Sequence, residues 1–418
     1  MAVERLLFQT KTGRPATVAI VYLIYDSGIW IAFPHCKTTT LAGIYIHIPF
    51  CRKACTYCNF HFSTRTENLV RMMDCLVQDI QLQRVRINEK QSIETIYIGG
   101  GTPSMIPVPY LEKIINTVRS AFDVTDEAEI TLEANPEDLQ ADVIAGWKRA
   151  GFNRISLGIQ SIQEDELRWM NRNHTAADAL TGIDRLLSGG FTNVSADVIF
   201  GSHLGSDEAL LTLVNRLIDK KIPHLSCYAL TVEEKTWLHR QVRLSPEKSP
   251  DPETQHRQFY LLMDHLQTHG YAHYEISNYA LPGMESRHNS NYWNKKPYWG
   301  IGPSAHGYNG SNRRWWNIAN NERYMQSIES GVIPAEEELL TAAQQFNETI
   351  MIGLRTAAGV SLQDLRTISD EKTIDELLIR SQPYEKATLL TITNRGYIQL
   401  TREGKIRADG IAADLFTD

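Results

Sequence analysis

Three cysteines lie close together in the chain, at Cys51, Cys55 and Cys58. They directly follow an apolar, β-rich run that ends near Pro49. Three thiolates on one short loop can bind three corners of an iron–sulfur cubane, because thiolate is the usual ligand of such clusters. The fourth iron then has no protein ligand and stays open to a small molecule. The spacing therefore predicts a 4Fe–4S site with one exchangeable position.

A structural zinc ion is the alternative for the same loop, which would make the chain a non-catalytic, zinc-stabilised binding module. His47 or His61 would complete a Cys3His ligand set. However, His47 lies in the predicted strand, and no second ligand pair follows at zinc-finger spacing. The remaining cysteines are scattered, and Cys75 and Cys227 are predicted to be small buried side chains.

The composition indicates a globular, cytoplasmic protein. Hydrophobic residues make up 42% and charged residues 22% of the 418 residues, as in soluble proteins. The formal charge of −7 gives no overall attraction to nucleic acid or anionic membrane. Clustered free cysteines favour a reducing compartment. The apolar run 18–33 is interrupted by Asp26 and is short for a membrane span, so residues 1–40 are treated as an extension of unassigned role.

Alternating strand and helix patterns over residues 41–270 must position this loop. The β-rich runs are 43–50, 92–100, 129–136, 154–161, 193–201 and 224–230, and the amphipathic runs between them are 67–87, 109–121, 137–149, 175–188 and 206–219. Such alternation is typical of βα units around a parallel sheet. Six units predict an α/β fold with a partial (βα)6 barrel that is open on one side.

The pattern changes after residue 270. Residues 271–335 form an aromatic-rich linking segment, and residues 336–418 are predicted to be a mainly helical, winged-helix-like domain. That domain is predicted to end in a hairpin over YIQL-TREGK-IRAD. It carries slightly more acidic than basic residues, which argues against DNA binding. Glu348 and Arg355, on a predicted helix, are expected to form structural ion pairs.

Polar residues follow the predicted strands at their carboxyl ends, where ligands bind in βα sheets. Residues 99–102, Gly-Gly-Gly-Thr, end the second strand, and glycines let backbone amides approach a ligand closely. A tight turn is the structural alternative for this triplet. Glu133 and Gln160 end the next two strands, and Asp197 lies in the fifth. The two hydroxyls of a ribose would supply hydrogen-bond partners for a carboxylate and an amide at this end of the sheet.

The motifs YIHIPFC-x3-CxYC, YIGGGTPS, TLEANP, SLGIQS, DVIFG and GPSAH occur in order from residue 43 onward. With them the chain resembles the radical S-adenosylmethionine (SAM) superfamily, and within it the HemN-like family of oxygen-independent coproporphyrinogen III dehydrogenases and HemW heme chaperones. The resemblance implies a SAM-binding 4Fe–4S cluster and a HemN-like C-terminal domain. It also implies that Arg172 pairs with the methionine carboxylate and that the glycine loop faces the methionine amino group. The SAM neighbours that it implies are Tyr45, Tyr57, Gly100, Gly101, Thr102, Glu133, Gln160, Arg172, Asp197 and Ala229.

Two features separate the chaperone from the dehydrogenase. The dehydrogenase pattern has a further cysteine two residues after the last one, and here that place is Phe60. Conversely, residues 288–293 fit the HNxxYW motif that the resemblance associates with heme. The implied heme-binding residues are His288, Asn289, Tyr292 and Trp293.

A neutral imidazole is a common axial ligand of heme iron, so His288 is the first candidate ligand. Packing or capping is its structural alternative. His306 is a second candidate, with a core histidine as its alternative. The resemblance thus predicts a heme chaperone that delivers heme to acceptor hemoproteins, membrane-associated acceptors among them. The dehydrogenase, a decarboxylase of coproporphyrinogen III in porphyrin biosynthesis, stays open as the alternative.

Overall fold

The structure is a computed structural model, which describes residues 40–85 and 91–417 and, before them, four short strands. The chain divides into two units, Met1–Thr40 and Leu41–Asp418. In the first unit β1 (Val3–Gln9) pairs antiparallel with β2 (Pro15–Val21), and β3 (Ile24–Tyr25) pairs with β4 (Gly28–Ile29). Cys36 and much of the apolar run 18–33 lie outside the described residues.

Six neighbouring strands form the centre of the main sheet. They are β5 (Thr40–Ile48), β6 (Gln91–Gly100), β7 (Asp123–Ala134), β8 (Arg154–Gln160), β9 (Asn193–Phe200) and β10 (His224–Ala229). They lie side by side in chain order, and β6 through β10 pair in parallel. Every residue of β8 is buried, as expected for a strand covered on both faces. The six predicted strands and the α/β fold class are confirmed.

Five helices match the predicted amphipathic runs, a sixth matches the helical pattern of residues 252–268, and two short ones are additional. The helices are α1 (Leu69–Arg84), α2 (Val108–Ala121), α3 (Ala141–Ala150), α4 (Glu164–Trp169), α5 (Ala176–Ser188), α6 (Asp207–Asp219), α7 (Trp237–Leu244) and α8 (Pro252–Thr268). The sequence marks several ends locally: Thr175 and Asp178 form a capping box at the start of α5, and Gly151 ends α3 at φ 99°. Among all helices of the described residues, none is long and apolar enough to cross a bilayer.

Residues 271–335 extend both edges of the sheet. Their elements are β11 (Ala272–Glu275), β12 (Asn278–Ala280), α9 (Arg287–Trp293), β13 (Tyr298–Ile301), β14 (His306–Tyr308), β15 (Arg313–Asn317), α10 (Asn321–Glu329) and β16 (Ala335–Leu339). The β11–β12 hairpin joins β10, while β13 to β16 continue the sheet from β5. Tyr279, Trp299 and Trp315 are buried in the same core as the barrel strands. The aromatic stretch is thus part of the sheet, because its large side chains pack onto the barrel core.

The last part of the chain has a hydrophobic core of its own, with Phe346 and Leu377 at its centre. Its elements are α11 (Ala342–Leu354), β17 (Val360–Ser361), α12 (Leu362–Arg366), α13 (Glu371–Lys386), β18 (Leu390–Ile392), β19 (Tyr397–Leu400), α14 (Arg402–Lys405) and α15 (Ala408–Asp414). The three strands form a small sheet in the order β17-β19-β18.

The predicted hairpin over YIQL-TREGK-IRAD is wrong. β19 pairs with β18, which precedes it, and the TREGK stretch begins a helix instead of a turn. The reason is local: the Thr401 hydroxyl accepts a hydrogen bond from the Gly404 amide at 3.1 Å, which caps α14. The predicted ion pairs are confirmed, since Glu348 pairs with Arg314 and Arg355 pairs with Asp409.

Candidate cluster and cofactor site

The cysteine loop leaves β5 and is held by backbone hydrogen bonds from three directions. The Cys51 amide donates to the Ser63 carbonyl at 3.0 Å, which closes the loop on itself. The Thr56 amide donates to the Met170 carbonyl at 3.1 Å, just after α4. The Leu238 amide of α7 donates to the Thr56 carbonyl at 2.8 Å. Helices α4 and α7, which the sequence did not predict, therefore both position the cysteine loop.

The three thiols suit a cluster better than a single metal ion. Cys51 is buried, and Cys55 and Cys58 are partly exposed. Burial raises the pKa of Cys51 to about 12 and that of Cys58 to about 11, so a bound cation must supply the charge that makes them thiolates. Among the described residues, no three His, Cys, Asp or Glu side chains converge on one metal position. In a cubane each cysteine binds a different iron, so convergence is not needed.

The histidines proposed for a zinc site are engaged elsewhere. His47 Nε2 donates to the His61 carbonyl at 2.8 Å, and His47 Nδ1 accepts from the Tyr45 hydroxyl at 3.0 Å. His61 Nε2 donates to Asn321 Oδ1 at 2.7 Å. Both ring nitrogens of His47 are therefore occupied, which argues against a Cys3His zinc site.

The cysteine loop opens into a cavity of about 750 Å³, within the size range of ligand pockets. The cavity runs along the barrel interior and is also lined by α14 and α15 of the C-terminal part. The predicted site residues that line it are Cys51, Cys55, Tyr57, Cys58, Gly100, Gly101, Thr102, Glu133, Gln160, Arg172, Asp197, Ala229 and Asn289. Tyr45 is not among them, since its ring stacks on Tyr97 with centroids 6.1 Å apart.

Glu133 is held in place at the end of β7. Its Oε1 accepts from the Tyr97 hydroxyl at 2.8 Å, and its Oε2 accepts from the Gly100 amide at 3.0 Å. Burial raises the pKa of Glu133 to about 7, and the nearby Asp197 charge adds to this, while the two hydrogen bonds act against it. The carboxylate is thus oriented toward the cavity and titrates near neutral pH.

Asp197 and Gln160 lie on the neighbouring strands. Burial raises the pKa of Asp197 to about 6, although hydrogen bonds from Ser226 and Ser156 and the charge of Arg154 lower it. Gln160 has a positive φ of 66° and follows a register shift between β8 and β9. Such a backbone costs about 1–3 kcal/mol in a residue other than glycine and concentrates at ligand sites. A carboxylate and an amide are therefore available for ribose hydroxyls.

The glycine loop joins the cysteine loop rather than offering free amides. The Gly101 amide donates to the Ile48 carbonyl at 2.8 Å, and the Thr102 amide donates to the Phe50 carbonyl at 2.7 Å. A Cβ at Gly101 would lie 2.4 Å from the Phe50 oxygen, so glycine is required by close approach. Protein carbonyls and Glu133 accept from these amides, so the amides are not free for a ligand. The expected contact with the methionine amino group, which is a hydrogen-bond donor, does not depend on them.

His288 is buried beside the cavity and does not line it. Its Nδ1 is hydrogen-bonded to the Thr95 hydroxyl and its Nε2 to the Tyr292 hydroxyl, both at 2.8 Å. The ring stacks on Tyr97 at 5.1 Å, and Tyr97 in turn donates to Glu133. Burial lowers the pKa of His288 to about 3, so the ring is neutral. An axial bond to heme iron requires a free nitrogen, so the predicted ligation does not fit this geometry.

The rest of the HNxxYW motif belongs to α9, which Ser286 caps at its N-terminus. Asn289 lines the cavity, whereas Trp293 lies against the Arg355 guanidinium, 6.0 Å from the ring centroid. His306, the other candidate heme ligand, lies on β14 with an exposed side chain and does not line the cavity.

We expect His288→Ala to destabilise the fold while leaving the heme spectrum unchanged. The substitution leaves the Thr95 and Tyr292 hydroxyls without their partner, which costs about 2–4 kcal/mol of unfolding free energy. Urea unfolding measures the loss, and the Soret band at saturating hemin reports the axial ligand. A shifted Soret band in the folded variant, with parent-like stability, would contradict this role and restore ligation.

Comparison with known proteins places the chain in a family. The model of the Radical SAM superfamily matches residues 45–217, and that of the HemN C-terminal domain matches residues 340–406. Heme chaperone HemW of Mycobacterium tuberculosis is 32% identical over 378 residues, which span 89% of this chain and 94% of that protein. The chain belongs to the HemW family. A mouse protein is also similar to this chain, namely radical S-adenosyl methionine domain-containing protein 1, mitochondrial. It is 31% identical over 91% of this chain and 88% of its own length.

A solved structure supports the fold. The HemW-family chain overlays on Escherichia coli coproporphyrinogen III oxidase (HemN), described as a radical SAM enzyme, with a TM-score of 0.79. The overlay covers 90% of each chain at 20% identity, so it establishes the architecture only. Radical SAM membership implies a 4Fe–4S cluster and SAM. The thiol donor set, the cavity and its two oriented carboxylates fit both groups.

Several cavity residues escaped the sequence analysis. Tyr97, which orients Glu133, lies in β6 and fits the strand pattern as an ordinary core residue would. Asn135 accepts from Arg172 at 2.7 Å and follows β7 directly, so its place in the TLEANP motif was a usable signal. Arg154 also gave a usable signal, because it is a charged residue at the start of an otherwise apolar run. Lys405 and Arg407 come from a region 170 or more residues beyond the barrel strands, and no local signal marked them.

Proposed function

We propose that this protein is a heme chaperone of the HemW type, which binds heme in the cavity and passes it to acceptor hemoproteins in the cytoplasm, membrane-associated ones included. The observation that carries the proposal is Phe60. Its side chain is 67% exposed and lines the cavity two residues after Cys58, where the dehydrogenase pattern has a further cysteine. The names of relatives that align with 77% to 89% of this chain, heme chaperones, support the same function.

The chain's own residues would act together on the cofactor. Cys51, Cys55 and Cys58 would hold the cluster, and Arg172 would orient the methionine carboxylate through a charge-assisted bond. Glu133 and Asp197 would accept from the ribose hydroxyls. The cluster and SAM supply radical chemistry when bound, and the enclosed cavity would exclude water from it. No residue is assigned as a catalytic acid or base.

The apolar wall of the cavity suits a large planar ligand. Phe259 and Ile276 line it from the barrel side, and Ile406 lines it from α14–α15. An apolar pocket with a few polar groups is the usual environment for a cofactor of this kind. The proposed function does not involve binding of nucleic acid.

The alternative, coproporphyrinogen III decarboxylation, is supported by the HemN-like architecture and C-terminal domain. One anaerobic experiment separates the two functions. The full chain, reconstituted with iron and sulfide, is incubated with SAM, reductant and coproporphyrinogen III, and separately titrated with hemin. We expect a saturable Soret band near one hemin per chain and no protoporphyrinogen. Protoporphyrinogen as a product would overturn the chaperone proposal, and so would the absence of hemin binding.

A further inference from the structure

Arg154 is a buried cation without a partner. It begins β8, is 1% exposed and lines the cavity. In the part of the chain that the structure describes, no hydrogen bond or ion pair engages its guanidinium, and its Nε is buried without an acceptor. The charge of Asp197 interacts with that of Arg154, but among the described residues the Asp197 carboxylate is hydrogen-bonded to serine hydroxyls and forms no direct ion pair with Arg154.

This arrangement is costly unless a ligand compensates. Buried ions are normally paired, because burial without a directly bonded partner is destabilising. The Asp197 charge compensates that of Arg154 only in part. A guanidinium presents its donors as a planar fork that matches a carboxylate. Since Arg154 lines the cavity, an anionic group of a ligand inside it would supply a directly bonded partner.

The C-terminal wall of the cavity presents further cations. Lys405 and Arg407 line it, and neither forms an ion pair with a carboxylate within the described residues. Lys405 is half-buried, and its Nζ is hydrogen-bonded to His273 Nδ1 at 3.1 Å, which is a neutral partner. The apolar side chains of Phe259 and Ile276 line the same cavity.

We propose that Arg154 binds one carboxylate of the cargo tetrapyrrole and that Lys405 and Arg407 bind a second one, so that the cavity selects tetrapyrroles with free propionates. This inference rests on the proposed binding of heme. The methionine carboxylate of SAM is the competing partner for Arg154. Arg172, which contacts Cys55 Sγ at 3.4 Å beside the cluster loop, is better placed for that role.

The test compares hemin with its dimethyl ester on the full chain, reconstituted with its cluster. We expect the parent to bind free-acid hemin about 10–100-fold more tightly than the ester, as the loss of a charge-assisted bond predicts. Arg154→Met should reduce this ratio to within about threefold, with iron content unchanged. Lys405→Met and Arg407→Gln should each reduce it in part. These two residues are half-buried and exposed, so they test the proposal even if Arg154→Met does not fold.

Arg257→Met is the matched control, because Arg257 is an exposed arginine paired with Asp207 and does not line the cavity. Its preference for the free acid should equal that of the parent. A parent that binds hemin and the ester equally well would overturn this inference and leave heme binding intact. Arg154→Met that loses SAM but keeps the preference would also overturn it. A parent that binds neither porphyrin would instead defeat the proposed function.

Discussion

Replacing Cys55 by Ala is expected to lower the iron content of anaerobically reconstituted protein from about four to below one per chain. In the proposed site the three thiols would occupy three corners of the cubane, and the fourth corner would have no protein ligand. Removing one thiol leaves two irons without protein ligands, so the cluster is lost. Cys51→Ala and Cys58→Ala should act alike. Iron and sulfide assays, with the visible absorption of the cluster, measure the effect.

Cys227→Ala is the matched control for these variants. Cys227 lines the same cavity and is 3% exposed, but it lies on β10 and not on the cysteine loop. Its removal should leave iron and sulfide unchanged. Equal loss of iron in this variant would mean that cavity packing, and not ligation, controls cluster binding. A parent with one zinc per chain and no sulfide would contradict the whole cluster assignment.

Replacing Arg172 by Met should weaken SAM binding about 10–100-fold, since a charge-assisted hydrogen bond to the methionine carboxylate is lost. The structure fixes the side chain for this task. Arg172 Nη2 donates to Asn135 Oδ1 at 2.7 Å and to the Gly158 carbonyl at 2.8 Å. Its Nε is buried without an acceptor. Equilibrium binding of SAM to the reconstituted variant gives the measurement.

Arg172→Lys separates charge from geometry. Lysine keeps the charge but lacks the planar fork, so an intermediate affinity is expected. Arg168→Met serves as a control, because Arg168 lies on α4 and its one ion pair within the described residues is with the exposed Asp165. Arg172 also contacts Cys55 Sγ, so iron is assayed on the same samples. Unchanged SAM affinity in Arg172→Met with full iron would refute the assigned role.

The amino-acid sequence by itself determined the features that depend on neighbouring residues. The cysteine spacing predicts three ligands on one loop, because a few residues fix how close the thiols can come. The alternation of strand and helix patterns predicts six βα units. Polar residues of these strands, such as Glu133 near the end of β7 and Asp197 within β9, were expected at one opening of the barrel, because parallel strands end on the same side. The predicted cluster and SAM residues all line one cavity in the structure, apart from Tyr45.

Only the tertiary structure decided the features that depend on distant partners. His288 was expected at heme iron, but its ring is bound by Thr95, 193 residues away, and this contact has no sequence period. The aromatic stretch was expected to link two domains, yet its strands pair with β10 and β5. Arg154, Lys405 and Arg407 meet one cavity from opposite parts of the chain. Burial and pairing across such separations arise from packing, which local patterns do not encode.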